Sequence, residues 1–116
     1  MALTIIYKIC SQKEWQAACV NKRFDGAAID LRDGFIHFST ADQVKETARL
    51  HFNGRKDLVL VAVETQCLEP DLKWEVSRGG NLFPHLFAAL EVDSAKSVTP
   101  LAVGADGLHI FPQLEE

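Results

Sequence analysis

The stretch "DLVLVAVE", Asp57 to Glu64, limits the fold more than any other part of the chain. Both of its alternating sets are apolar: Leu58, Leu60 and Ala62 on one, Val59, Val61 and Val63 on the other. Successive side chains of a strand leave opposite faces, so this segment needs cover on both sides. It predicts a central strand in a layered core.

The rest of the chain supplies the layers. Leu3 to Cys10 is rich in β-branched residues and predicts a strand. Ser11 and Glu14 have capping-box spacing and open a helix, with Trp15, Ala18 and Cys19 on its apolar face and Gly26 beyond its end. Asp33-Gly34 marks a turn, and "FIHF" is a short strand after it. Ser39 or Thr40 can cap a second helix, with Asp42 in its first turn. Val44, Ala48, His51 and Phe52 fall on one side of that helix, and Asn53-Gly54 stops it. After Pro70, "LKWEV" predicts a strand. An aromatic-rich segment and short strands near 98–103 and 108–111 complete the chain. The order gives an α+β fold in a single compact domain, residues 1–116, with a mixed, mostly antiparallel sheet and two early helices.

Composition bounds the function. A net charge of −4 and a pI of about 5.5 disfavour duplex nucleic acid as the main partner. The N-terminus has no basic region before a long apolar run, and nothing approaches a membrane span, so the cytosol is expected. Cys10, Cys19 and Cys67 form no C-x-x-C and predict three small buried hydrophobes, with no disulfide and no metal site. A monomer is the starting expectation.

Two stretches carry chemistry. In "DGFIHFSTADQ", alternation puts Phe35 and His37 on one face and Ile36 and Phe38 on the other. Ser39 and Thr40 then sit at a strand-to-helix junction, where free N–H groups favour an anion. The plain alternative is that Ser39 only caps the helix and His37 is a half-buried core residue. In "WEVSRGGNLFPHLF", an extended "WEVS" turns Trp74 and Val76 to the core and Glu75 and Ser77 outward. Arg78 then opens a Gly79-Gly80 turn whose permissive backbone and guanidinium suit a phosphate or carboxylate. Here the alternative is a bare turn with Arg78 paired to a surface acid. Pro84 restrains His85, which can act as an acid, a base or a ligand contact. His51 and His109 read as packed or surface residues. The fixed-spacing signatures of hydrolases, zinc proteases, dinucleotide folds and P-loops are missing from the sequence.

"IYKI", "DGFIHFSTADQV", "TARLHF", "DLVLVAVE" and "LKWEVSRGGNLFPHLF", in that order, resemble a small bacterial family catalogued as domain of unknown function 952. That family in turn is distantly similar to the ADP-ribosyltransferase fold, with RNA 2′-phosphotransferases the nearest comparison. The resemblance implies an ADP-ribosyltransferase-like sheet and a nucleotide-like ligand. "FIHFS" corresponds to a histidine–serine motif of those enzymes, which carries over His37 and Ser39. Lys8 of "IYKI" stands where their NAD-gripping histidine would be, a departure that leaves the cofactor unassigned. Their late catalytic glutamate or arginine has no clear counterpart, unless Arg78 takes that part from another place in the chain.

The expectation is a cleft for an anionic, nucleotide-like small molecule. His37 and His85 are the candidate catalytic groups, and Lys8, Ser39, Thr40, Ser77, Arg78, Gly79 and Gly80 the candidate ligand contacts. Such a cleft serves either an enzyme of ADP-ribose or nucleotide chemistry or a non-catalytic metabolite-binding module. A third reading is an interaction module that presents Phe83 and Phe87 as a contact patch.

Overall fold

The double-sided strand is the middle of a three-stranded antiparallel sheet. In the computed structural model, which describes residues 4–116, β4 (Leu58–Glu64) lies between β1 (Ile5–Ser11) and β8 (Ala95–Leu101). Leu3, where the sequence reading starts the first strand, lies outside the described residues. Val59, Val61 and Val63 pack in one cluster with Ile6, Cys10, Ile36, Phe38 and Leu86. Leu58, Leu60 and Ala62 pack in a second with Tyr7, Ile9, Val44 and Ala48. All six of these apolar β4 side chains are buried, as their two alternating sets require.

A second three-stranded sheet, in the order β3 (Ile36–His37), β6 (Leu82–Leu86), β5 (Leu72–Val76), lies beside the first. The two meet at reciprocal backbone hydrogen bonds between Tyr7 and Ser39, each 2.8 Å. A short pair, β2 (Arg23–Phe24) with β7 (Leu90–Glu91), is separate from both. All these pairings are antiparallel, so the single mixed sheet expected from sequence is instead three small ones.

Helix α1 (Gln12–Asn21) begins as its capping box predicts: Glu14 N–H donates to Ser11 Oγ at 3.0 Å, and Ser11 N–H to Glu14 Oε1 at 2.8 Å. It ends at Lys22 in the left-handed region (φ 62°), four residues before the glycine expected beyond it. A helix not expected from sequence, α2 (Ala28–Asp33), follows and raises the number of α-helices among the described residues to three. Its six residues expose Ile29 and Leu31, and the residue it buries is Asp30. Helix α3 (Ala41–His51) turns Val44 and Ala48 inward, with His51 outside. Thr40 holds its N-cap position without a side-chain cap. Gln43 instead reaches back, its Oε1 accepting from Thr40 N–H at 3.0 Å.

Three other expectations need correction. Trp74 and Val76 are exposed, at 37% and 69%, because β5 is an edge strand and of that alternating set only Leu72 reaches the core. Cys10 is buried, but Cys19 and Cys67 are exposed; all three thiols are free. The last strand reduces to an isolated bridge between Val103 and His109. Beyond it Phe111 and Leu114 pack against the second cluster, and the Tyr7 hydroxyl donates to Glu115 O and accepts from Glu115 N–H. Among the described residues no helix is long and apolar enough to cross a membrane.

Candidate functional site

The second sheet has one core-facing side, through Ile36, Leu86 and Leu72, and one side of mixed polar and aromatic groups. His37 and His85 are register partners, so their side chains leave the same face. Their ring centroids are 5.5 Å apart. Phe35 stacks on His85 at 4.2 Å and lies 4.6 Å from His37, and Phe87 closes the row 5.1 Å from Phe35.

Each histidine is held at Nδ1 by a carboxylate. His85 Nδ1 lies 2.8 Å from Glu75 Oε1. Its ring is nearly buried, while Glu75 reaches solvent. His37 Nδ1 lies 2.6 Å from Oδ1 of Asp30. Asp30 has no exposed side-chain surface, and both of its oxygens accept hydrogen bonds. Its Oδ1 also accepts from His37 N–H and from Lys8 Nζ, each at 3.0 Å. Its Oδ2 accepts from Ala27 N–H at 2.8 Å and faces Lys8 Nζ at 2.7 Å. Burial alone would push the Asp30 carboxyl up. The His37 hydrogen bond and the Lys8 charge outweigh that and bring it down to about 2. The buried aspartate is therefore anionic, and it fixes the His37 ring in one orientation.

The other nitrogen of His37 is also occupied: Nε2 lies 3.0 Å from Oδ2 of Asp33, the last residue of α2. An imidazole can donate to two carboxylates only when both nitrogens carry protons. The His37 side chain is 30% exposed and that of Asp33 is 31% exposed, so this contact lies at the surface while the Asp30 contact lies beneath it.

Ser39 is two residues from His37 along extended chain and points to the same side. Its hydroxyl is 3.1 Å from Oγ1 of Thr47 on α3, and Arg78 Nη1 donates to the same oxygen at 3.3 Å. The Arg78 guanidinium lies over the Phe83 ring, 4.9 Å from its centroid. Gly79 and Gly80 adopt positive φ (66° and 79°), as the permissive turn requires. That turn uses its own donors, however: Gly80 N–H bonds Ser77 O, and Asn81 N–H bonds Arg78 O. The Ser77 N–H bonds Asn81 O.

The sequence-predicted residues thus form two groups on one side of the sheet. One is His37 with His85; the other is Ser39 with Arg78, joined through Thr47. Lys8 is buried beneath the first group and faces Asp30 rather than solvent. Thr40 lines a surface hollow of about 760 Å³ together with Gln43, Trp74 and Asn81. Neither that hollow nor one of about 460 Å³ beside α3 is lined by His37, His85 or Arg78. The Phe83–Phe87 patch does not form, since Phe83 is buried while Phe87 is 40% exposed.

Sequence reasoning missed Asp30, Asp33 and Thr47, and gave Glu75 no role in the site. A charged residue defaults to solvent unless a partner is visible. The partners here are far away in sequence: Lys8 for Asp30, and Arg78 for Thr47. One local signal was available. Asp33 and His37 are four apart across the Gly34 turn, within mutual reach.

Comparison with known proteins agrees with this fold. A family model described as protein of unknown function, DUF952, matches residues 9–98. The crystal structure of protein CC0527 from Caulobacter crescentus is similar at 50% identity, with 92% of this chain and 94% of that chain covered and a TM-score of 0.89. The solution NMR structure of CC0527 is similar at 51% identity, with 91% of each chain covered and a TM-score of 0.83. No curated protein matches the chain.

Proposed function

We propose, for a chain that belongs to the DUF952 family, that the His37–His85 face binds an anionic, nucleotide-like small molecule and carries out acid–base chemistry on it. The observation that carries this reading is the pair of histidines side by side, each with Nδ1 against a carboxylate. Holding Nδ1 leaves Nε2 as the atom that works on a ligand, directly in His85 and in His37 once Asp33 moves aside, and carboxylate backing is how an imidazole is oriented for proton transfer. Asp30 does this from a buried, anionic position; Glu75 does it from the rim. Cationic groups for a phosphate are near. Arg78 lies on the same side, and Lys73 Nζ is 5.2 Å from the Phe87 ring centroid. Phe87 offers an exposed aromatic ring to a planar base.

The distant similarity to ADP-ribosyltransferases belongs to this proposal and would make the ligand ADP-ribose or a related nucleotide. Lys8 occupies the position of the NAD-gripping histidine, and its ammonium faces Asp30, which favours a ligand other than intact NAD. The non-catalytic binding module also has an observation in its favour. Asp33 occupies Nε2 of His37, and a histidine with both nitrogens paired transfers no proton until one contact opens.

A thermal-shift screen with ADP-ribose, nucleotides, NAD and phosphorylated metabolites tests the reading. A ligand at 100-fold its Kd adds about 2.7 kcal/mol of stability. The expected result is a shift with a phosphate-bearing nucleotide that His85→Ala and Arg78→Ala each weaken while the fold stays intact. A shift that neither variant changes would place the ligand elsewhere. Turnover of the bound nucleotide separates the enzyme from the binding module.

A further inference from the structure

The geometry points to Nε2 of His37 as the seat of the ligand's anionic oxygen, with the Asp33 carboxylate now standing in that seat. This rests on the proposed function and adds where on the site the phosphate or carboxylate group binds, and what must leave first.

The two nitrogens of His37 differ in what they can give up. Nδ1 of His37 is turned inward to Asp30, which has no exposed side-chain surface. An exchange of partners there would cost the buried carboxylate its 2.6 Å hydrogen bond to the ring, where water cannot reach to replace it. Nε2 faces the surface, and its partner is an oxygen of a carboxylate, the same donor–acceptor chemistry that a ligand phosphate or carboxylate would offer. The site therefore already holds an anionic oxygen at 3.0 Å from the imidazole, supplied by the chain itself.

Asp33 is also placed to leave. It ends α2, and Gly34 after it takes the left-handed conformation (φ 88°) that closes the helix. Its other partner is Arg32 at 3.0 Å, whose side chain is 71% exposed. Contacts between exposed charges of this kind are weak. Rotation of the Asp33 side chain removes the carboxylate without breaking the Asp30 contacts that orient the ring. The incoming oxygen then meets His37 Nε2, with Phe35 packed against both imidazoles and His85 beside it. Asp33 thereby sets a threshold: a neutral ligand cannot replace its charge, whereas an anionic one can.

The test uses the full chain and three variants: Asp33→Ala, Asp33→Asn, and Asp57→Ala as a control with the same change in net charge, at a carboxylate paired with Arg55 rather than with His37 or His85. Inorganic phosphate and pyrophosphate are the probes. Two readouts are combined: binding followed by NMR of the histidine rings, and the rate at which diethyl pyrocarbonate modifies His37, mapped by peptide mass spectrometry. Asp33→Ala should speed His37 modification and tighten phosphate binding by about three- to five-fold, the ratio an exposed charge contact is worth. Asp33→Asn should give a smaller change in the same direction, and Asp57→Ala none beyond screening. Phosphate should protect His37 from modification in every variant. If Asp33→Ala changes neither readout while phosphate still binds and perturbs His85, the seat is overturned and the proposed function stands. If modification quickens but phosphate binds no variant, both are overturned.

Discussion

Replacing Asp30 by asparagine is the sharpest perturbation of this molecule. The carboxylate receives donors on both oxygens: Lys8 Nζ, His37 Nδ1 and His37 N–H on Oδ1, and Ala27 N–H with Lys8 Nζ on Oδ2. An asparagine offers one acceptor oxygen and one NH2 group. Whichever way it turns, the NH2 faces a donor, and the Lys8 ammonium, 4% exposed, loses its countercharge. Breaking one side of a buried pair costs about 3–5 kcal/mol, chiefly through the charge left behind. Lys8→Met alone should cost a similar amount, since it strands Asp30. The double variant should then cost well below the sum of the two, because neither charge remains buried. Urea unfolding of the four proteins gives the cycle.

Acid adds an independent reading. The Asp30 carboxyl is held near 2 in the folded protein, against an ordinary value of 3.8. A lowered folded value means stability that is fully present above pH 4 and is lost as pH falls from about 4 towards 2, about 2.5 kcal/mol in all. The Asp30→Asn protein should lack that part of the acid dependence. Additive single variants, an Asp30→Asn cost under about 1 kcal/mol, or an unchanged acid limb would each refute the account of a buried, charge-paired anchor.

Two further outcomes follow from packing and burial. Leu60→Ala in the middle of β4 should cost about 2–5 kcal/mol by chemical denaturation, because the side chain is 2% exposed and packed between the sheet and Val44 and Ala48 of α3, where its loss leaves a cavity. Thiol titration should find Cys19 and Cys67 reactive in the native protein and Cys10 reactive only after unfolding, since burial pushes the Cys10 thiol up to about 12.

The parts of the fold legible in sequence are those where one physical signal suffices. β4 announced itself because both alternating sets were apolar, and α1 because Ser11 and Glu14 hold a capping box. α2 stayed hidden because its signals conflict. It is six residues long, Ala27 at its N-cap offers no side-chain acceptor, its apolar Ile29 and Leu31 face solvent, and its one buried side chain is an aspartate. Trp74 and Val76 misled for a related reason: alternation says which residues share a face, but not whether that face is covered. At the site, His37 and His85 were legible as polar residues in aromatic surroundings. Their partners were not, because Asp30 is anchored by a lysine 22 positions away and Glu75 meets His85 across the β5–β6 pairing.

The first sheet has a consequence in time. Residues 5–11 find their partners at 58–64, and those find theirs at 95–101, so neither pairing in the sheet is local. Such topologies fold in milliseconds to seconds rather than microseconds, since long loops must close before contact is rewarded. On a ribosome adding about 5–20 residues per second, the doubly apolar β4 emerges seconds before β8 can cover its open edge. Over that interval the newborn chain exposes its stickiest segment, one edge unpaired, while Lys8 is already committed to the strand beside it. The element that organises the finished molecule is thus the one most exposed to aggregation while it is being made.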